Sequence, residues 1–234
     1  MATYGGPSIV TNGLVLYLDA ANTKSYPGSG TTWSDISRVG NNGTLTNGPT
    51  FNSINGGSIV FDGVNDHIIT GYDLSWNNTN SVSVSVVLTP TIVQTRGFIG
   101  KGLSEWEWQL NQRGDGLELV YWNTSGGHTN GPITTISNVF EPNVPVSITV
   151  VWSHIDNKHY FYKNGTKVGE NTWVNASINQ NRTTGVNVGG AIYAWGLGGS
   201  YWTGRIHSVN LYNRDLTPQE VLQNYNAIKS RFGL

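Results

Sequence analysis

The segment SVSVSVVL, residues 81–88, alternates between polar and apolar side chains and restricts the fold more than any other stretch. Successive side chains of a strand point to opposite faces of a sheet, so this pattern predicts a strand with one apolar face. VSITVVW, residues 146–152, repeats the alternation. Both segments are therefore expected to contribute one face to a core. The predicted core positions are Val82, Val84, Val86, Leu88, Val146, Ile148, Val150 and Trp152.

Many other short segments also read as strands, and glycine-rich turns separate them. In HYFYKNGTKVGE, residues 159–170, Asn164-Gly165 can supply the positive φ angles of a tight hairpin turn. LELVYW and RIHSVNLY, residues 117–122 and 205–212, are further candidates. Numerous short strands with turn residues between them are typical of an all-β antiparallel sandwich, or jelly roll.

The last segment changes to helical spacing. Thr217 is suited to an N-cap, Pro218 to the first helical position and Glu220 to a capping box. Leu222, Tyr225, Ile228 and Phe232 then recur at roughly helical intervals. We expect a short amphipathic helix, at about 218–231, that docks on the sandwich.

Composition excludes several classes of protein. Charged residues make up 12% of the chain, the net charge is −1, and the few Lys and Arg are dispersed, so a nucleic-acid partner is not expected. The chain has no cysteine, which excludes a disulfide framework. We predict no signal peptide and no membrane insertion, because no stretch is apolar enough for either. Nothing marks a linker, so one domain spanning 1–234 is expected.

Both ends of the chain have distinctive sequences. Two segments resemble the opening of a laminin-G-like domain of the concanavalin A-like lectin/glucanase superfamily. They are residues 13–51, which begin GLVLYLDAANTKSYPG, and residues 56–69, GGSIVFDGVNDHII. The closing residues 205–234 resemble that family's last strand and terminal helix, especially in virion structural proteins of tailed bacteriophages. The resemblance implies a concanavalin A-like sandwich on the virion surface, at the capsid exterior or the tail. One departure is Arg38-Val39, where a glycine-rich turn is expected.

The segment SEWEWQL, residues 104–110, tests whether the chain is an enzyme. Alternation puts Glu105, Glu107 and Gln109 on one face, with Glu105 and Glu107 about 6.6 Å apart at Cα, within reach of cooperating carboxylates. The resemblance to glucanases implies a pattern of E-x-D-x-E or E-x-D-x-x-E. Here Gln109 and Leu110 stand where the last acid would be, and an amide cannot protonate a leaving group. We predict that these glutamates are solvated or hydrogen-bonded surface carboxylates and that the protein is not an enzyme.

Aromatic residues suggest a binding surface instead. GGAIYAWGLGGSYWTG, residues 189–204, reads as a glycine-rich loop that projects rings, and exposed rings stack on sugar faces. The alternative is that these rings pack in the core. Together with the polar face of the neighbouring strand, the predicted carbohydrate-binding residues are Tyr193, Trp195, Tyr201, Trp202, Glu107 and Gln109.

The turn FDGVNDHI offers oxygen ligands for a metal ion. Asp62, Asn65 and Asp66 lie close together in sequence and could hold calcium, as some laminin-G-like domains do. The same residues are also standard turn formers, whose side chains bond nearby backbone amides. Both interpretations stay open, and no other cofactor is expected.

These observations favour a non-enzymatic phage surface protein that binds host or environmental glycans and other virion proteins. One alternative is a decoration or assembly protein without a glycan ligand. Another is a degenerate glycosidase that uses Glu105 and Glu107. Nothing in the sequence decides whether the protein forms a homo-oligomer.

Overall fold

The computed structural model describes residues 7–74, 80–101, 107–121, 134–172, 185–190 and 201–234. Over these residues the chain forms two antiparallel sheets that pack face to face, with one helix at the end. The sequence-based prediction of a concanavalin A-like β-sandwich with a C-terminal helix is confirmed. No helix among the described residues has the length and apolar character to span a membrane.

Sheet A has its strands in the order β14-β13-β12-β7-β16-β5-β4, and β1 also pairs with β16. Strand β16 lies at the centre, because β7 runs along one side of it while β5 and β1 share the other. The strands are β1 (Leu14–Asp19), β4 (Thr50–Asn52), β5 (Ser58–Asp62), β7 (Val82–Pro90), β12 (Val146–Ser153), β13 (Lys158–Lys163), β14 (Thr166–Thr172) and β16 (Thr203–Tyr212).

Sheet B has the order β11-β10-β9-β8-β15-β6-β3-β2. Its strands are β2 (Thr32–Trp33), β3 (Gly43–Thr46), β6 (His67–Thr70), β8 (Gln94–Lys101), β9 (Trp108–Gly114), β10 (Gly116–Tyr121), β11 (Thr134–Ile136) and β15 (Val186–Val188). A 3₁₀ turn, Ile54–Gly56, connects β4 to β5 in the other sheet.

The core between the sheets contains the side chains that the alternation predicts. Strands β7 and β12 pair directly, and their apolar positions from Val82 to Leu88 and from Val146 to Trp152 are buried in one cluster. Large aromatic rings fill the remaining space. Their burial dominates the hydrophobic contribution to stability, because each aromatic ring removes the largest apolar area from water.

The terminal helix α1 spans Pro218–Phe232, and its ends are formed as the sequence predicts. The Thr217 hydroxyl accepts from the backbone N–H of Glu220, and the Glu220 carboxylate accepts from the backbone N–H of Thr217. Gly233 ends the helix in the left-handed conformation, with φ of 72°. This capping box satisfies backbone groups that a helix end otherwise leaves unpaired.

The buried face of α1 differs from the predicted one. Leu222 is 46% exposed and Tyr225 is half-buried, whereas Val221 and Asn224 join Ile228 and Phe232 against sheet A. The Asn224 amide accepts from the backbone N–H of Val10 and donates to the Tyr212 hydroxyl. A polar residue therefore occupies the centre of the docking face, which an apolar pattern alone does not reveal. Its two hydrogen bonds compensate for its burial.

Turn residues behave as their chemistry requires. Asn164 and Gly165, with φ of 50° and 75°, connect β13 to β14 as predicted. Arg38 has φ of 81°, in the region that glycine favours, so position 38 adopts a glycine-like backbone without being a glycine. The Asp35 carboxylate stabilises this loop, since it accepts from the backbone N–H groups of Ser37, Gly40 and Asn41.

Candidate functional site

The outer face of sheet B carries a connected row of polar side chains. Gln109 donates to Asn111, Asn111 Nδ2 donates to Glu118 Oε2 at 2.8 Å, and Arg113 donates to Glu118 Oε1 at 2.5 Å. Gln109 and Asn111 point away from the core, because Trp108 and Leu110 between and beside them are core residues. Gln109 is 2% exposed, and Asn187, on strand β15 of the same sheet, is 1% exposed. Neither side chain therefore presents a surface to a ligand.

Glu107 is a buried, ion-paired side chain and not the surface carboxylate predicted. The Lys101 ammonium lies 2.8 Å from Glu107 Oε2, both side chains are fully buried, and Asp73 also pairs with Lys101. The prediction failed because the partner comes from β8, the strand before, which the local pattern of SEWEWQL cannot show. Glu105 lies outside the described residues.

The predicted ring cluster of residues 189–204 is only partly described. Trp202 is wrong as a sugar-binding residue, because its ring is fully buried in the core and its Nε1 donates to Gln112 Oε1 at 3.1 Å. Tyr201 is half-buried, with its ring centroid 6.0 Å from that of His67. Tyr193 and Trp195 lie outside the described residues, and their role stays a prediction. Gln109, being buried, is also wrong as a ligand-facing residue.

The candidate calcium residues form a hydrogen-bonded turn. Asp66 Oδ2 accepts from the backbone N–H of Asp62 at 3.1 Å, and Asp62 Oδ1 accepts from the backbone N–H of Val64 at 2.8 Å. Burial raises the pKa of the Asp66 carboxyl. Among the described residues, no group of three or more His, Asp or Glu side chains is placed to hold a metal ion. The turn interpretation accounts for these contacts, and calcium binding stays untested.

A cleft of about 520 Å³ opens on the outer face of sheet A, between strands β12 to β14 and the start of α1. We call it the tyrosine–aspartate cleft. Its size is within the range of sites that bind small molecules. It is lined by Val151, Ser153, Asp156, Tyr160, Tyr162, Lys167, Glu170, Asp215, Leu216, Thr217 and Pro218.

Strand alternation places the two tyrosines. Tyr160 and Tyr162 lie on the outer face of β13, whereas His159 and Phe161 between them point into the sandwich. Tyr162 is buried against the start of α1, and Tyr160 is half-buried beside it. The alternation in HYFY could have predicted this shared face. The aspartates could not have been predicted, since they come from distant turns.

Two carboxylates border the cleft beside the tyrosine ring. The Tyr160 hydroxyl donates to Asp156 Oδ2 at 2.9 Å, and Ser153 Oγ donates to Asp215 Oδ2 at 3.1 Å. Burial, together with the hydrogen bond to Asp156, raises the pKa of Tyr160 to about 12, so its hydroxyl stays protonated at neutral pH. The cleft therefore presents a neutral ring and two acceptor groups.

The opposite side of the cleft carries a charged network. Glu170 accepts from the ammonium groups of Lys158 at 2.5 Å and Lys167 at 2.9 Å. Hydrogen bonds from Lys158 and Lys167 lower the pKa of Glu170 to about 2. The Lys167 ammonium also lies 5.5 Å from the centroid of the Tyr160 ring, a cation–π contact. This network contains two ammonium groups and one carboxylate, so it carries a net positive charge.

Comparison with known proteins establishes the family. A model of the laminin-G-like type, described as concanavalin A-like lectin/glucanases superfamily, matches residues 62–222. The chain belongs to this superfamily. No curated protein matches the chain by sequence.

Solved structures share the fold at low sequence identity. The binding domain of botulinum neurotoxin serotype D is 14% identical with a TM-score of 0.65, over 92% of this chain and 52% of that one. Trypanosoma rangeli sialidase in complex with sialic acid is 16% identical with a TM-score of 0.63, over 94% and 33%. This chain therefore spans about half and a third of those proteins.

One structure matches over its whole length. Domain 4 of AbnA, an extracellular GH43 arabinanase from Geobacillus stearothermophilus, was solved in complex with arabinotriose. It is 17% identical to this chain with a TM-score of 0.64, and the match covers 91% of this chain and 98% of that domain. Identities this low describe the fold alone.

Proposed function

We propose that the protein is a non-catalytic glycan-binding domain and that the tyrosine–aspartate cleft is its sugar site. The observation that carries the proposal is the pairing, in one open cleft, of a tyrosine ring with two carboxylates on neutral partners. A sugar has apolar C–H faces and a rim of hydroxyl donors. Aromatic and aliphatic walls suit the first, and carboxylate oxygens suit the second.

The walls of the cleft match both parts of a sugar. Val151, Leu216 and Pro218 supply apolar surface next to the Tyr160 ring. Asp156 and Asp215 accept from sugar hydroxyls, and such charge-assisted hydrogen bonds are stronger than neutral ones. A few well-placed polar groups on an apolar lining are the usual composition of a small-molecule site.

The fold comparison also supports the proposal. The AbnA domain covers nearly the same length as this chain and was crystallised with an oligosaccharide. A sandwich of this size can therefore bind a glycan without a second domain.

The absence of catalysis is part of the proposal. Glu107 is sequestered by Lys101, and Gln109 lacks an acidic proton, so neither can act as the general acid of a glycosidase. We expect no release of reducing sugar from laminarin, agarose or carrageenan. Release that disappears in the variant Glu105→Gln would show that the degenerate glycosidase interpretation is correct.

The setting on a phage particle rests on the resemblance of the two chain ends to virion proteins. A surface protein with a weak sugar site gains avidity from many copies, since linked sites raise the effective concentration. We therefore propose a place on the capsid exterior or the tail. Immunogold labelling of purified particles tests this location. Loss of particle assembly without loss of glycan binding in the free protein would indicate an additional assembly role.

The glycan proposal is tested with two matched tyrosine variants. Tyr160→Ala removes the ring of the cleft, and Tyr225→Ala removes a half-buried ring that also has a lysine ammonium, that of Lys229, 5.5 Å away. Multivalently displayed protein is applied to a glycan array. We expect Tyr160→Ala to lose at least about ten-fold in binding, as removal of a stacking contact predicts, while Tyr225→Ala retains it.

A second variant distinguishes loss of the sugar site from loss of folding. Asp156 is exposed, so Asp156→Ala removes an acceptor of the cleft with little effect on packing. If both Asp156→Ala and Tyr160→Ala bind the array as wild type does while they melt as wild type does, the cleft is not the sugar site. Binding that instead depends on Trp195 would indicate that the sugar site is the loop of residues 189–204.

A further inference from the structure

We infer that the tyrosine–aspartate cleft selects its ligand by charge and takes a sugar that carries a free ammonium group, in preference to neutral and acidic sugars. This inference rests on the proposed function, because it assigns the ligand class of the same site. It follows from the charges that line the cleft and from the partners that each of them has.

The basic side chains near the cleft are already engaged by other acids. Lys158 and Lys167 both bind Glu170, which lies opposite Tyr160 on the paired strand. The Arg214 guanidinium binds Glu220 through two parallel hydrogen bonds, at 2.7 and 2.8 Å. Such a fork geometry fixes the guanidinium firmly. The arginine charge is thus matched by Glu220, whereas the two lysines share the single charge of Glu170.

Asp156 and Asp215 are the remaining carboxylates. Among the residues that the structure describes, neither has a salt-bridge partner. Their hydrogen-bond donors are neutral hydroxyls, those of Tyr160 and Ser153. Neutral donors solvate a carboxylate but leave its charge in place. Asp156, Asp215 and Glu170 line the cleft together with one lysine, Lys167, so the lining carries an excess of negative charge.

Ser153 connects the Asp215 carboxylate to the backbone of Asp156. Its hydroxyl donates to Asp215 Oδ2 at 3.1 Å and accepts from the backbone N–H of Asp156 at 3.2 Å. Ser153 is buried at the end of β12, so this arrangement is fixed by the sheet. An ammonium group has three donors and no acceptor, so it suits a lining in which carboxylate oxygens predominate.

The same charges act against acidic sugars. A carboxylate or sulfate in the cleft would face three acids of the lining, Asp156, Glu170 and Asp215, and one lining cation, Lys167, which already bonds to Glu170. Like charges at this range in a partly desolvated site repel. Neutral sugars keep the hydroxyl contacts but lack the ionic ones. The expected order of affinity is therefore amino sugar, then neutral sugar, then acidic sugar.

The experiment uses four methyl glycosides that share one ring: glucosamine, glucose, N-acetylglucosamine and glucuronic acid. Each is titrated into the wild-type protein and followed by NMR at about pH 6, where an amine of this kind carries its proton. We expect the glucosaminide to bind at least about ten-fold tighter than the glucoside and the N-acetylglucosaminide, as a charge-assisted contact predicts, and the glucuronide to bind weakest.

Isosteric amide variants remove the charge and keep the hydrogen-bond acceptor. In Asp156→Asn and Asp215→Asn, an amide oxygen can still accept from Tyr160 or Ser153, so the fold is retained. Each should reduce the preference for glucosaminide over glucoside, and the double variant should abolish it. Glu141→Gln makes the same chemical change at an exposed acid outside the cleft and should leave the preference intact.

The outcomes separate this inference from the proposed function. Equal binding of glucosaminide and glucoside, both lost in Tyr160→Ala, would overturn the charge selection and leave the sugar site standing. Binding of none of the four glycosides overturns both. Nα-acetyl-lysine amide supplies the same ammonium on a peptide-like body. If it binds as tightly as the glucosaminide, the cleft recognises the ammonium without the sugar, and the amino-sugar assignment is wrong.

Discussion

The two outer faces of the sandwich are closed by different kinds of interaction. On sheet A, apolar side chains such as Tyr212 and Val87 are covered by Val221, Ile228 and Phe232 of α1. On sheet B, the buried side chains are amides and acids that bond to one another, as Asn111 does to Glu118. One face is sealed by hydrophobic burial and the other is occupied by a polar network.

The difference teaches where a ligand can reach the protein. Helix α1 covers only part of sheet A, and the uncovered part beside its first turn is the tyrosine–aspartate cleft. On sheet B the polar groups that would suit a sugar are buried, and Gln109, Asn111 and Glu118 bond to one another. A polar composition is therefore a poor guide to a binding surface, and an incompletely covered apolar face is a better one.

Phe232→Ala should have the largest effect, since it removes the ring that joins α1 to sheet A. Phe232 is fully buried, with its centroid 5.1 Å from that of His207. We expect a loss of about 3–5 kcal/mol in the free energy of unfolding, measured with urea. Leu222→Ala, on the exposed side of the same helix, is the control and should change little. Equal losses would mean that α1 does not seal this face.

Glu107→Gln tests the ion pair at the end of the sheet B strands. Removing one charge leaves the buried Lys101 ammonium with Asp73, whose side chain is 55% exposed. We expect a loss of about 3 kcal/mol, at the low end for a broken buried pair because one partner remains. Glu170→Gln, in an exposed pair, should leave the midpoint of unfolding nearly unchanged.

A double variant sharpens this result. Lys101→Met combined with Glu107→Leu replaces the pair by apolar side chains and should unfold at a higher urea concentration than Lys101→Met alone, because the single variant keeps the buried Glu107 charge after its Lys101 partner is removed. If the double variant is less stable than Lys101→Met, the contribution of the two side chains to the free energy of unfolding exceeds the neutralisation of one charge by the other.

His207 should make the face beneath α1 sensitive to acid. Its ring nitrogens bond Thr89 Oγ1 and the Gly57 carbonyl, each at 2.9 Å, and burial lowers its pKa from 6.5 to about 4. The unfolded chain binds the proton first, so stability present above pH 6.5 is lost as the pH falls towards 4. The full shift corresponds to about 3 kcal/mol.

The check is the unfolding free energy of wild type and His207→Gln across that pH window. The variant should lose less stability on acidification than wild type does. Burial also lowers the pKa of His159, to about 3, so some dependence persists in the variant. Glu220, whose pKa the Arg214 guanidinium lowers to about 2, contributes only at lower pH. Identical slopes for both proteins would show that His207 is not the acid-sensitive group.

Thr217→Ala should have the smallest effect, because it acts only on the first turn of α1. Loss of the hydroxyl leaves the backbone N–H of Glu220 without its cap and should cost about 1 kcal/mol. Thr217→Ser retains an oxygen at this position and serves as the control. A melting temperature that is the same in the alanine and serine variants would contradict the capping role.

Local patterns predicted much of the fold and little of the site. Alternation from Val82 to Leu88 and the Thr217–Glu220 box are decided by neighbours in sequence, and both predictions are confirmed. Trp202 was misassigned because glycines around it suggested an exposed loop. In the structure a Cβ at Gly204 would lie 2.5 Å from the Trp202 ring, so this glycine makes room for a buried ring.

The site depends on contacts between distant segments. Asp156 follows β12, whereas Asp215 precedes α1, and Ser153 connects them through hydrogen bonds. Glu107 is likewise decided by Lys101 on the neighbouring strand. No periodicity in one sequence encodes such pairs. The sequence therefore did not reveal that Glu107 is ion-paired, and it did not identify Asp156 and Asp215 as residues of the site.

The central position of β16 has a consequence for synthesis on the ribosome. Strands β1, β5 and β7 all pair with β16, which the chain reaches only at Thr203. At about 5–20 residues per second, the early strands wait roughly 10–40 s for the strand that joins them. During that time their edges and apolar faces are open to neighbouring chains. Production of this protein should therefore depend on chaperones that hold the nascent chain until its last strand emerges.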